Sequence, residues 1–137
     1  MFNKNDYFSQ CENEQQFKML YTKKLASESE YRFCIETEET VKGFPDVLIY
    51  DRNVKMARFE EFKFTKNGKI KFQSTQPAFY KKYKDLYIEV LAYNKKSNCL
   101  HWFMVTELFN KSSPYCLNEK SEVNLGLAEA MLRDNVK

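Results

Sequence analysis

Histidine occurs once in the 137 residues, at His101, and the four cysteines, Cys11, Cys34, Cys99 and Cys116, form no CxxC pair and no zinc-ligand spacing. A structural zinc site is therefore not expected. A chain of this length with a large core does not need a disulfide framework, so reduced thiols are the simpler expectation. Glycine and proline number three each, and no Pro/Gly-rich break, internal repeat or low-complexity tract divides the chain. No apolar run approaches the roughly 18 residues that cross a membrane. The opening Met1-Phe2-Asn3-Lys4-Asn5-Asp6 lacks the apolar region of a signal peptide. The expectation is a soluble, cytoplasmic protein without membrane contact, cellular or phage-encoded within a host cell. What is present is a composition 43% hydrophobic and 16% aromatic, enough for one domain over residues 1–137 with a continuous core.

Periodicity predicts a helix at 12–29, where Phe17, Leu20, Tyr21 and Leu25 fall near helical spacing. Strands follow at 31–36, 46–50 and 56–64. Asn67-Gly68 marks a turn before Lys69-Ile70-Lys71-Phe72, read as a hairpin extension. Ser74 or Thr75 can cap a helix running to Lys84, with Pro77 tolerated in its first turn. Two β-rich segments, 87–93 and 100–105, flank a polar turn, and a last helix is expected over 122–133. The order α-β-β-β-α-β-β-α implies a mixed sheet flanked by helices.

The segment Gly43-Phe44-Pro45-Asp46 opens one of these strands and Glu61-Phe62-Lys63 lies on the next. Side chains alternate faces along a strand, so Glu61 and Lys63 share a face and Phe62 takes the other. Carboxylates on neighbouring strands, about 4.8 Å apart, can hold a hard divalent cation such as Mg2+ or Mn2+ between them. Asp46 and Glu61 are the candidate ligands, and the main-chain carbonyl of Phe62 is a further oxygen donor of the right kind. Lys63 could orient a metal-activated water or offset charge on a phosphate. The competing interpretation is a solvated Glu61–Lys63 ion pair on an edge strand after an ordinary Pro45-Asp46 turn. The combination of the two segments favours the metal site.

These residues resemble the PD-(D/E)XK nuclease superfamily, and within it the small VRR-NUC and Holliday-junction-resolvase-like members. The resemblance spans roughly residues 12–105. It implies a restriction-endonuclease-like mixed sheet of about five strands flanked by helices. It also implies a glutamate on the first helix, best matched by Glu14 with Glu12 and Glu36 as alternatives, and a glutamine at the start of the following helix. Gln76 fits that position better than Gln73, although a glutamine there can equally be a helix cap. The implied activity is Mg2+- or Mn2+-dependent hydrolysis of DNA phosphodiesters in branched or structured substrates, as in repair and recombination. A homodimer would place two sites on two strands. RNA remains open as a substrate, and a noncatalytic module binding nucleic acid or protein on the same fold is the alternative.

Between Lys63 and Lys84 the chain carries Lys63, Lys66, Lys69, Lys71, Lys81, Lys82 and Lys84 and no acidic residue. Such a segment can neutralise phosphates, although lysines on a helix are commonly a solvated face. Phe72, Phe79, Tyr80 and Tyr83 within it read mostly as core, with contact to exposed bases the alternative. His101, in an aromatic strand, reads as structural.

Overall fold

The computed structural model describes residues 2–4, 6–28, 32–36 and 42–134, with side chains for 6–25 and 42–134. The elements are β1 (Phe2–Lys4), α1 (Glu14–Glu28), β2 (Arg32–Glu36), β3 (Val47–Asp51), β4 (Met56–Thr65), β5 (Lys69–Lys71), α2 (Thr75–Lys82), β6 (Ile88–Asn94), β7 (Cys99–Met104), β8 (Glu122–Asn124) and α3 (Leu125–Asp134). Short 3-10 turns occupy Asp6–Phe8 and Val105–Phe109.

The start of α1 is set by reciprocal caps. The Gln16 N–H donates to Asn13 Oδ1 at 2.8 Å, and the Glu12 N–H donates to Gln16 Oε1 at 2.8 Å. These bonds satisfy donors that the first helical turn leaves open and put Glu14 at its first position. The inner face of α1 presents Phe17 and Tyr21, four residues apart, to Phe62 of β4, with ring centroids 5.8 and 5.6 Å away.

Six strands form one sheet in the order β1-β7-β6-β4-β3-β2. Only β4 and β6 run parallel, with Glu61 opposite Val90 and Lys63 opposite Ala92; every other neighbour in this sheet is antiparallel. A parallel pair needs a crossover, and the chain supplies it through β5 and α2. Each sheet face carries its own core. Phe62, Leu91 and Tyr93 pack on one side with Phe8, Phe17 and Leu25. Val90, Ala92 and Phe103 pack on the other with Phe72, Phe79, Tyr80 and Leu125.

The expected mixed sheet and helix order are present, with a sixth strand, β1, that was not anticipated. Two further elements differ. Residues 69–71 do not extend a hairpin but pair antiparallel with β8, Ile70 opposite Val123. The last helix therefore begins at Leu125 instead of 122, where Asn124 Oδ1 accepts the Leu127 N–H at 3.1 Å.

Candidate metal centre

The Glu61-Phe62-Lys63 triplet lies on β4, an interior strand between β3 and β6. Glu61 is 3% exposed and Lys63 9%, so a solvated pair on a sheet edge does not describe it. The site forms where β3 stops. The register ends at Val47 opposite Glu60, and one residue earlier the Asp46 side chain takes the place of the missing strand. Its Oδ2 accepts the Phe62 N–H at 3.0 Å. In an antiparallel ladder the N–H and C=O of one residue point to the same side, so the Phe62 carbonyl also faces the side taken by Asp46.

Gly43 makes this approach possible. Its φ is +88°, and a Cβ there would stand 2.3 Å from the carbonyl oxygen of Thr75, the first residue of α2. Only glycine fits both the dihedral and the contact. The turn is thereby pressed against the start of α2. Phe44 fixes it further between Phe59 and Phe79, at centroid distances of 5.3 and 5.4 Å.

Burial is the main force on the Glu61 carboxyl, raising its pKa to about 9; the Asp46 charge pushes it up further, Lys63 pulls it down, and a hydrogen bond with Asp46 and the charge of Glu14 add smaller upward pushes. Glu61 Oε1 is buried without a hydrogen-bond partner. The Tyr80 hydroxyl is a second buried oxygen without a partner. Its pKa is raised by burial and then by the charges of Glu61 and Asp46. The Lys63 ammonium donates to Gln76 Oε1 at 3.0 Å and lies 4.7 Å from the Phe72 ring centroid. Gln76 Oε1 also accepts the Gln73 N–H at 3.0 Å. It thus acts as a local cap and as the positioner of Lys63, and its side chain joins α2 to β4.

The structure brings Asp46, Glu61, the Phe62 carbonyl, Lys63 and Gln76 together. Glu14 stands at the start of α1 on the exposed surface. Its carboxyl is raised by partial desolvation, lowered by Lys63 and raised by Asp46, so it senses the site. Among the described residues, however, no group of three or more His, Cys, Asp and Glu side chains comes close enough to hold a metal ion. Glu12 is engaged elsewhere, with Lys95 at 2.6 Å and Lys66 at 3.2 Å. The Glu36 side chain lies outside the described residues.

Lys69 and Lys71 are exposed on β5, and Lys81, Lys82 and Lys84 on or just after α2, while Lys66 is exposed in its pair with Glu12. Phe72, Phe79 and Tyr80 are core, and Tyr83 is half-buried. His101 is fully buried between the Tyr115 hydroxyl at 2.9 Å and Glu129 Oε1 at 3.3 Å, and burial lowers its pKa to about 4. That is the structural role expected of it. Tyr80, read from the sequence as core or as a contact to exposed bases, also lies close enough to Glu61 and Asp46 to feel their charges; its spacing of four from Gln76 on α2 was the available signal.

The fold is that of nucleases of the restriction-endonuclease type. Among solved structures the chain is similar to Hjc, a Holliday junction resolvase from the archaeal hyperthermophile Archaeoglobus fulgidus, with a TM-score of 0.57 and 13% identity over 85% of this chain and 92% of that one. No protein-family model and no curated protein sequence matches the chain.

Proposed function

We propose that residues 1–137 form one nuclease domain that hydrolyses phosphodiester bonds in DNA with Mg2+ or Mn2+, and that branched DNA is its substrate. The observation that carries this reading is the buried Glu61 carboxyl, its Oε1 unpartnered, set beside the half-buried Asp46. Two carboxylates brought together in a protein interior repel each other, and a hard divalent cation is the partner that suits two carboxylate oxygens and a carbonyl. Asp46, Glu61 and the Phe62 carbonyl would hold the ion, with Glu14 at the mouth of the site supplying further negative charge. When bound, such an ion polarises a phosphate oxygen and acidifies a water.

The chain's own residues do the rest. Lys63, kept in place by Gln76, offers a fixed ammonium to the phosphate or the attacking water, at no reorganisation cost at the moment of reaction. Glu61, once deprotonated, would hold the cation together with Asp46. The exposed Lys69, Lys71, Lys81, Lys82 and Lys84 supply salt-sensitive affinity for the backbone, to which Lys66 adds once freed from Glu12. The fold shared with a Holliday junction resolvase makes junction DNA the first substrate to test. One copy carries one such site, so paired cuts in a junction would require two copies on the DNA.

The test is cleavage of labelled four-way junction, flap and duplex DNA, with matched RNA, by purified protein in Mg2+ or Mn2+. Cleavage by the wild type, reduced on the order of 10²-fold or more in Asp46→Asn and Lys63→Met, is the expected outcome. Absence of cleavage by the wild type with either ion, or full activity in Asp46→Ala and Glu61→Ala, overturns the proposal. DNA binding without cleavage and without metal dependence would instead identify a noncatalytic module.

A further inference from the structure

A cavity of about 430 Å3 opens between α2 and the 3-10 turn after β7, walled by Tyr80, Tyr83, Leu86 and Phe109, with Lys81 and Lys84 among its lining residues. Its size falls within the roughly 300–1,000 Å3 of small-molecule pockets. Tyr83 is held against Phe79 at a centroid distance of 4.6 Å, which makes it a fixed wall. Phe109 is 37% exposed despite its size. The Lys81 ammonium lies 5.1 Å from the Phe109 ring centroid, and that of Lys82 lies 5.5 Å from the Tyr83 centroid. Among the described residues no carboxylate lines the cavity.

Aromatic walls with a lysine rim suit a flat heterocycle that arrives with negative charge attached. A nucleotide of a single strand has that chemistry: every base offers a π-face, and its phosphates complement the ammonium groups. An apolar peptide would leave the lysines without counter-charge. The cavity neighbours the carboxylate site: Tyr80 lines it, and the buried Tyr80 hydroxyl experiences the charges of Glu61 and Asp46.

We propose that this cavity receives one unpaired base of the substrate strand, with Lys81 and Lys84 on the flanking phosphates. The proposal rests on the nuclease reading of the neighbouring site and narrows its substrate to DNA with unpaired nucleotides next to the scissile bond, as at a flap or an opened junction centre. A fully paired duplex would have to extrude a base to fill the pocket.

The experiment uses the full chain in EDTA, so that nothing is cut, and measures binding of a fluorescein-labelled flap DNA by anisotropy. A single abasic position is moved through the unpaired arm and the branch point. The expected result is one position at which loss of the base weakens binding roughly five- to a hundred-fold. Phe109→Ala and Tyr83→Ala should each reduce affinity for the intact DNA and cause no further loss at that abasic position. Phe109 is partly exposed, so its variant should fold, and thermal melts verify both. A flat abasic scan, or variants that weaken intact and abasic DNA equally, overturns the base pocket. Metal-dependent cleavage with a flat scan removes the pocket alone, whereas a positive scan with no cleavage in Mg2+ or Mn2+ removes the nuclease reading alone.

Discussion

Replacing Glu61 by glutamine should stabilise the metal-free protein at neutral pH and above. In the folded state burial and Asp46 hold the Glu61 carboxyl protonated up to about pH 9, against an ordinary value of 4.5. The unfolded chain releases that proton near 4.5. A folded-state pKa above the unfolded one means the native protein binds more protons between the two values, so stability is greatest below about 4.5 and declines as pH rises toward 9. At pH 7 the span from 4.5 corresponds to a loss on the order of 3 kcal/mol, at 1.36 kcal/mol per pH unit. Glutamine keeps the shape, carries no proton to lose and can donate to Asp46. The expected gain of up to about 3 kcal/mol would raise the midpoint by roughly 10 °C in a chain of this size.

The assay is thermal and urea unfolding of wild type and Glu61→Gln in EDTA at pH 5, 7 and 8.5. Glu60 adds its own decline between 4.5 and about 7 in both proteins, so the interval from 7 to 8.5 isolates Glu61. There the wild type should keep losing stability faster than the variant. A Glu61→Gln protein that is less stable than wild type at pH 7, or that shows the same slope above pH 7, would refute the account of the buried Glu61 carboxyl. Added Mn2+ should then stabilise the wild type by preferential binding to the folded state and leave the variant nearly unchanged.

Gly43→Ala should destabilise the protein by several kcal/mol, because the new Cβ meets the Thr75 carbonyl at 2.3 Å and the residue holds φ +88°; chemical denaturation measures it, and a loss under about 1 kcal/mol would show that the turn shifts freely. Arg58→Ala removes the guanidinium 3.0 Å from fully buried Glu60, whose carboxyl already titrates near 7. The loss should be small at pH 5, where the carboxyl is protonated in both proteins, and grow by up to about 1.4 kcal/mol at pH 8, where the wild-type carboxyl is ionised against Arg58 while the variant's stays protonated; equal losses at both pH values would contradict this. Calorimetric titration of Mn2+ at pH 7 in two buffers of different ionisation enthalpy should report release of about one proton per ion, from Glu61. Binding without proton release would place the ion elsewhere.

The motif was legible because it sits on a strand with strict alternation: residues two apart share a face whatever packs against it, so Glu61 with Lys63 and Phe62 opposite needed no tertiary information. Their burial was not legible. An E-x-K triplet looks the same on an edge strand as between β3 and β6, and only the strand order decides which it is. The short β5 and β8 were hidden for a related reason, since three-residue strands 55 positions apart at Lys69 and Asn124 carry no local periodicity and exist through each other. Asn124 caps α3 through the Leu127 N–H, inside the span 122–133 expected to be helical. Glu14 was placed correctly near the start of α1. Its distance from the carboxylate pair depends on how Phe17 and Tyr21 seat that helix on Phe62, a packing choice invisible in the segment Glu12-Asn13-Glu14 itself.

Glu60 and Glu61 provide an internal comparison. They are adjacent, both almost fully buried, and turned to opposite faces of the same strand, so backbone context and burial are nearly matched. Glu60 has a cation of its own, Arg58 at 3.0 Å, and its carboxyl rises only to about 7. Glu61 has the Asp46 charge as its largest influence after burial, and Lys63, which donates to Gln76, offsets it only in part, so its carboxyl rises to about 9. Burying an acid beside Asp46 weakens the fold, and Val90, opposite Glu61 in the register, makes no use of a carboxyl. An apolar side chain would fill the same space against the same neighbours. The arrangement makes physical sense when positive charge comes from outside the chain. A divalent cation would do for Glu61 what Arg58 does for Glu60, and would do so for Asp46 at the same time.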